Sequence, residues 1–230
     1  MLVTVDIDHT LVVGTKTHHL ALEHGIRSTY GVESQLMGRT FTGYVDKQIV
    51  LEALRDKGLS EAEVFSEFPK LCEVSTSFYK EHVTSEKILV LPGVKALIQR
   101  LLALGCQLGL VTGNIEGIAH AKLKAAGLPP VFEFGGFGCE DTCRNKLLQI
   151  ALSRAGHEPS IPAFHVGDTL QDMQASVKNG AYGIGVGTGS TSTRILMEAG
   201  AKSVFPDLSD TEAVLHALKL WAVRHKTLLK

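Results

Sequence analysis

Leu2-Val3-Thr4-Val5-Asp6-Ile7-Asp8-His9-Thr10-Leu11 opens the chain with β-branched and aliphatic residues that stop at two carboxylates one residue apart. The run is too short for a helix, so it predicts a buried first strand over 2–7. In an extended chain residues i and i+2 point the same way, which sets Asp6 and Asp8 on one side of the strand's end. Carboxylates crowded in this way call for a cation. Taken alone, D-x-D-x-T is equally a capped strand end that leads into a turn.

Outward from this strand, residues 16–87 show helical periodicity over 17–30, 46–57 and 61–82 and no buried strand. Ser60 and Glu63 are spaced as a capping box for the third helix. After Leu91-Pro92-Gly93 the pattern alternates, with strands over 107–112, 131–134, 163–166, 182–186 and 203–205. Helices fall between them near 94–104, 116–126, 145–155, 170–179 and 193–199. This alternation predicts an α/β fold, a Rossmann-like parallel sheet core with helices on both faces. The expected division is a core of 1–14 and 88–230 with an inserted all-helical domain of 15–87. Such an insert sits at the carboxyl edge of the sheet, where open α/β folds bind ligands. The tail over 213–229, carrying Trp221, reads as a packed amphipathic helix whose basic end is Arg224, His225, Lys226 and Lys230.

The 230 residues are 44% hydrophobic and 20% charged, with a formal net charge of −1. That is enough apolar mass for a substantial core and too little net charge to hold nucleic acid or an anionic membrane. A small molecule is the expected partner, with no nucleic acid and no membrane. Cys72, Cys106, Cys139 and Cys143 include no C-x-x-C pair and lack the spacing of a disulfide framework. The first residues reach acidic side chains too early for a signal peptide, and no stretch approaches the ~20 apolar residues of a membrane span. A reducing, cytoplasmic setting is expected.

Two further strand ends carry polar residues. Leu110-Val111-Thr112-Gly113-Asn114 ends a strand on a hydroxyl, and the turn's free N–H groups make a cradle for phosphate oxygens. The same residues also suit an ordinary β-α turn with Thr112 or Asn114 as a helix cap. His165-Val166-Gly167-Asp168-Thr169-Leu170-Gln171-Asp172 places one acid at a strand end and another in the next helical turn. Asp168 can give oxygen to a magnesium ion, and Asp172 can equally complement the helix dipole.

In this order, at the ends of apolar strands, the three stretches resemble motifs I, II and IV of the haloacid dehalogenase superfamily, across nearly the whole chain. The helical insert resembles that family's C1 cap. The resemblance implies Asp6 as nucleophile, Asp8 as general acid and base, and Thr112 with Gly113 and Asn114 around the phosphate. It implies Mg2+ held by Asp6, the backbone carbonyl of Asp8, and Asp168, with Asp172 supporting the site. The cation of motif III is expected at Arg144 or Lys146, although the usual Lys-Pro pair is missing, and Lys122 or Lys124 can also serve. His9 stands where many relatives have glycine, so a positive φ there would strain it.

Because Asp8 is present, the resemblance points to phosphoryl transfer rather than dehalogenation. Gly43-Tyr44-Val45-Asp46-Lys47-Gln48-Ile49 resembles a G-x-x-D-x-x-I stretch in caps of phosphoglycolate phosphatase-like members. It suggests phosphoglycolate as substrate and Lys47 as reader of its carboxylate. Alternatives within the family are a sugar-phosphate mutase, a phosphonatase or a pyrophosphatase, and outside it a non-catalytic binding protein on the same fold. The glycines at 183, 185, 187 and 189 fit neither G-x-G-x-x-G nor a Walker A loop and are explained by backbone lying close to the active centre. His18, His19 and His24 on the first insert helix read as exposed or half-buried histidines without a role. A monomer or homodimer is expected.

Overall fold

The computed structural model describes residues 1–14, 16–85 and 87–228. Side chains at 85 and 224–228 lie outside that description, as do Thr15, Glu86 and Lys230, and with them the basic tail. In chain order, β1 (Leu2–Val5) and β2 (Val12–Val13) precede three helices, α1 (Lys16–Tyr30), α2 (Asp46–Arg55) and α3 (Glu61–His82). Then follow β3 (Leu89–Val90), α4 (Val94–Ala103), β4 (Gln107–Thr112), α5 (Glu116–Ala125), β5 (Phe134–Phe137) and α6 (Arg144–Arg154). The chain continues through β6 (Ala163–Gly167), α7 (Leu170–Lys178), β7 (Tyr182–Val186), α8 (Thr193–Glu198), β8 (Ser203–Phe205) and α9 (Thr211–Leu228).

Six of these strands form one sheet in the order β5-β4-β1-β6-β7-β8, and every pairing in it is parallel. The first strand of the chain lies in the middle, with Val5 opposite Leu110 on one side and Val166 on the other. Strand order therefore reverses between β1 and β6, and a crevice opens at their carboxyl ends. Alternation along β1 sends Val3 and Val5 into a cluster with Leu97, Leu123 and Leu215, from α4, α5 and α9. Leu2 joins the opposite cluster, with Leu147 and Leu148 of α6 and Ala175 of α7. The expected α/β core with helices on both faces is what the chain forms.

The helical insert has its own apolar cluster, which includes Leu22 and Ile26 of α1, Leu54 of α2 and Phe68 and Leu71 of α3. Ile115 and Ile118, at the start of α5, belong to the same cluster and join the insert to the core. Ser60 caps α3 with the reciprocal Glu63 contacts of a capping box. The insert leaves and returns through the antiparallel pair β2 and β3. That pair was not expected, because strands of two residues each are too short to show a period.

The strand expected over 131–134 instead forms at Phe134–Phe137. Gly135 and Gly136 weaken the strand pattern in the sequence, but they are there for packing. A Cβ on Gly136 would lie 1.9 Å from the Leu147 carbonyl oxygen, so only glycine lets α6 lie so close to β5. Backbone, not a flexible side chain, blocks the added methyl. Gly136→Ala is therefore expected to lose about 1–3 kcal/mol of stability, as overpacked cores do, measured as a lower midpoint in urea unfolding.

Candidate functional site

Asp6 is the residue after β1, Thr112 the last of β4, and Asp168 the one after β6. Adjacent parallel strands thus deliver the three to one crevice. Asp6 is 3% exposed and Asp168 2%. Arg144, from the first turn of α6, reaches across so that Nη1 donates to Asp6 Oδ1 at 2.9 Å and to the Val111 carbonyl at 3.0 Å. Its Nε lies 3.5 Å from Asp172 Oδ1, within ion-pair reach but long for a hydrogen bond. Arg144 is the cation beside Asp6. Lys146 is exposed on the same helix and reaches Gln149, so it is not at the site.

Oxygens of Asp6, Asp168 and Asp172 lie within 4.8 Å of one another. Asp172 is completely buried, and its oxygens are taken up by the Thr169 amide and hydroxyl, by His165 and by the Arg144 contact. Asp168 Oδ1 accepts from Thr10. Among the described residues, a second oxygen of Asp6 and of Asp168 remains for a cation. Three carboxylates around one guanidinium leave an excess of negative charge, and an all-oxygen donor set suits a hard ion such as Mg2+. The residues therefore fit such an ion, with Asp6 and Asp168 the two that would hold it and Asp172 beside Arg144. Gly189 fits here as well, since a Cβ there would fall 1.8 Å from Asp168 Oδ2.

The charges divide the acids into two kinds. Burial, followed by repulsion from Asp6 and Asp172, pushes the Asp168 carboxyl up to about 8. Burial also raises Asp6, to about 6, with Arg144 opposing it. At Asp172 burial is outweighed by Arg144 and His165, which hold it at about 2. At Asp8 the opposition to burial comes chiefly from Lys122, with help from His18 and Asn114, and the carboxyl is again held at about 2.

The Asp8 carboxylate lies outside the metal-type cluster. Lys122 Nζ donates to its Oδ1 at 2.7 Å and its Oδ2 at 2.9 Å, and Asn114 Nδ2 donates to Oδ2 at 2.7 Å. Its two oxygens are thus taken up by Lys122 and Asn114. Asn114 Nδ2 also reaches Thr112 Oγ1 at 2.6 Å, so one amide links the acid to the hydroxyl. Next to Asp8, His9 has φ 59°, the one positive value at a non-glycine among the described residues. The expected strain is present, and the Thr188 hydroxyl holds the loop by donating to the His9 carbonyl.

A cavity of about 550 Å³ opens over these groups, lined by Asp6, Asp8, Thr112, Gly113, Asn114 and Arg144 from the core. From the insert side come His18, His19, Arg39, Phe41 and Tyr44. Lys47 does not line it. Its ammonium sits 4.5 Å above the Phe65 ring and 3.5 Å from the Glu140 carbonyl, turned toward α3 and away from the crevice. Asp46, its neighbour, is buried and accepts from the Ile115 amide at 2.7 Å. His18 is 6% exposed and lies 2.9 Å from Asp46, so reading it as a histidine without a role is corrected. Lys122 is fully buried in the site, whereas Lys124 on the same helix is exposed. His18 and Lys122 gave no signal in spacing, because their partners are far away in sequence.

Residues 3–186 match the family described as haloacid dehalogenase-like hydrolase, and the chain belongs to that family. It is 31% identical over 134 residues to "Probable phosphatase IndB" of Dickeya dadantii (strain 3937), a match that covers 56% of this chain and 57% of that relative. The chain thus spans little more than half of that relative's length. A hydrolase from Pseudomonas syringae superposes with a TM-score of 0.67 at 20% identity, covering 94% of this chain and 97% of the other. CbbY from Rhodobacter sphaeroides in complex with phosphate gives 0.67 at 19%, covering 91% and 95%. A β-phosphoglucomutase from Clostridium difficile gives 0.69 at 14%, covering 96% and 98%. At these identities the structures share a fold with this chain.

The raised carboxyls make cation binding depend on pH. Asp168 goes from an ordinary 3.8 to about 8, so between roughly pH 4 and pH 8 the metal-free fold binds protons that the unfolded chain does not. Its contribution to stability falls as pH rises through that window, and a cation that displaces the proton removes the loss. Calorimetric titration with Mg2+ is expected to show affinity at least about tenfold higher at pH 8 than at pH 6, with proton release. Equal affinity at the two pH values would show that the ion binds elsewhere.

Proposed function

We propose that this chain is a Mg2+-dependent phosphatase that hydrolyses a small phosphomonoester through an aspartyl-phosphate on Asp6. One observation carries the reading: a buried carboxylate neutralised by Arg144 at 2.9 Å shares a cavity with a second carboxylate two residues on. This is the requirement for a nucleophile and a separate proton-transfer group on one substrate. When bound, Mg2+ would screen the repulsion between a carboxylate and a phosphate dianion and stabilise charge on the transferring group.

Asp6 attacks phosphorus in line as the bond to the alcohol oxygen breaks. Asp8 gives that oxygen its proton, then takes one from the water that hydrolyses the acyl phosphate, and Asp6 is restored. Held at about 2, Asp8 starts as a base. The negative charge of a phosphate bound beside it favours the protonated form needed for the first half. Arg144 and the Gly113 amide face the equatorial oxygens. Thr112 Oγ1 accepts from the Asn114 amide and side chain, which leaves its own hydrogen to donate to phosphate.

In this reading residues 15–87 are a cap that covers the site and 1–14 with 88–230 are the core. Phosphoglycolate is the first substrate to try. With Lys47 turned away, Arg39, 5.2 Å from the centre of the Phe41 ring and on the cavity wall, is the cation placed to meet a carboxylate. A monomer or homodimer in the cytoplasm, acting on a small phosphorylated metabolite, completes the proposal. Among the described residues no helix is long and apolar enough to cross a membrane.

Phosphate release from p-nitrophenyl phosphate and a panel that includes 2-phosphoglycolate, with Mg2+ or EDTA, tests this. Wild type is expected to turn over only with the metal, and Asp6→Asn not at all. Turnover that survives Asp6→Asn would overturn the mechanism, and a need for a bisphosphate activator would indicate a mutase. Arg144→Ala is expected to lower kcat/KM about 100- to 1000-fold, as loss of a preorganised charge contact does. Lys146→Ala, altering an exposed side chain, should match wild type in the same assay.

A further inference from the structure

Lys122 is a buried ammonium, and its partners are what make it tolerable, because an unpaired charge in such a place is expensive. Besides the two Asp8 oxygens it donates to Asn114 Oδ1 at 2.7 Å, and it lies 3.4 Å from His18 Nδ1. The three ammonium hydrogens have those three oxygens as acceptors, so His18 Nδ1 packs against the ammonium without a hydrogen bond of its own. The other ring nitrogen, Nε2, lies 2.9 Å from Asp46 Oδ2, the same oxygen that takes the Ile115 amide at 2.7 Å. The contacts form a closed circuit that passes from core to insert at Lys122–His18 and back at Asp46–Ile115.

The surrounding backbone follows the same route. Asp46 N donates to the Gly113 carbonyl at 2.8 Å and Lys47 N to the Gly138 carbonyl at 3.0 Å. A Cβ on Gly113 would lie 2.3 Å from the Tyr44 carbonyl, so the insert rests directly on the turn that follows β4. Arg144 already serves Asp6, which leaves Asp8 as the carboxylate paired with Lys122.

We propose that Lys122 is a positioning residue. Anchored from the insert by His18 and Asp46, it fixes the Asp8 carboxylate, so that seating the insert and aligning the acid/base are one event. The inference rests on the phosphatase reading above. It concerns geometry: Asp8 has two rotatable side-chain bonds, and three donors from Lys122 and Asn114 hold its two oxygens in one orientation.

The test is Lys122→Met, of similar length and without charge, with Asp46→Asn as a milder variant and circular dichroism to confirm folding. Both are assayed on alkyl phosphates, whose leaving groups need a proton, and on p-nitrophenyl phosphate, whose leaving group does not. Lys122→Met is expected to lose kcat about 100-fold on the alkyl esters and no more than about threefold on the aryl ester. Asp46→Asn should shift the same way by less, and adding Lys122→Met to Asp8→Asn should cost nothing further. An equal loss on both esters, or a fully additive double variant, would overturn the proposal. Hydrogen exchange at the Ile115 and Asp46 amides gives an answer that does not need turnover. Faster exchange there in folded Lys122→Met supports the circuit, and unchanged exchange refutes it. If wild type hydrolyses none of the esters, the phosphatase reading fails, while exchange still decides whether Lys122 ties the insert to the core.

Discussion

Like charges held together out of water constrain this structure more than any other feature. Asp6, Asp168 and Asp172 are each no more than 3% exposed, and their oxygens share a sphere that one guanidinium does not neutralise. Such a cluster is stable only if each carboxylate is tied to something rigid. Asp172 is fixed by the Thr169 capping box and by His165, and it orients Arg144, which in turn binds Asp6. Asp168 is held by Thr10, from the loop that Asp6 begins. Strands β1 and β6 must be neighbours, in register, for these contacts to close. The remaining charge excess suits the site to a cation.

The turn between β4 and α5 is the second organising feature, because four consecutive residues there tie the insert, Asp8 and the cavity together. Thr112 offers its hydroxyl to the cavity, the Gly113 carbonyl accepts from Asp46, Asn114 bridges Asp8 and Thr112, and the Ile115 amide binds Asp46. The Ile115 side chain meanwhile packs in the insert's apolar cluster. Hydrophobic burial thus seats the insert, and polar contacts set its register on the core. In the G-x-x-D-x-x-I stretch Asp46 belongs to this seat and also lines the cavity, as do Gly43, Tyr44 and Ile49, so the stretch joins the insert's contact with the core to the cavity wall.

Two buried cations, not one, serve the paired acids. Both sit on helices that follow strands of the sheet, α5 and α6, and each crosses more than a hundred residues of sequence to its partner: 114 for Lys122 to Asp8 and 138 for Arg144 to Asp6. The pairing sets the acids' properties. Asp6 keeps a raised carboxyl because burial outweighs Arg144, while Asp8 is held low because Lys122, His18 and Asn114 together outweigh burial. The two acids of one loop therefore differ in proton affinity, Asp6 raised and Asp8 lowered.

Much of this was legible along the chain. Apolar runs that end on Asp6, Thr112 and Asp168 specify strands and what their ends carry, since a strand's direction and period are local properties. Arg144 was legible as a cation at a helix start, and the insert as a block without strand pattern. Sequence alone put Lys146 close behind Arg144, placed Lys47 at a cavity it does not line, read His18 as exposed or half-buried, and named Lys122 only as an alternative partner for Asp6 and not for Asp8. It also set β5 three residues early, because the glycines that let α6 approach look like a break in a strand. In each case the deciding contact joins residues brought together by strand order and by the way the insert folds back. The sequence by itself determined the elements, the class of fold and the acids at the strand ends. Only the tertiary structure decided which cation meets which acid, because a charge is assigned to its partner by distance in space, and periodicity measures distance along the chain.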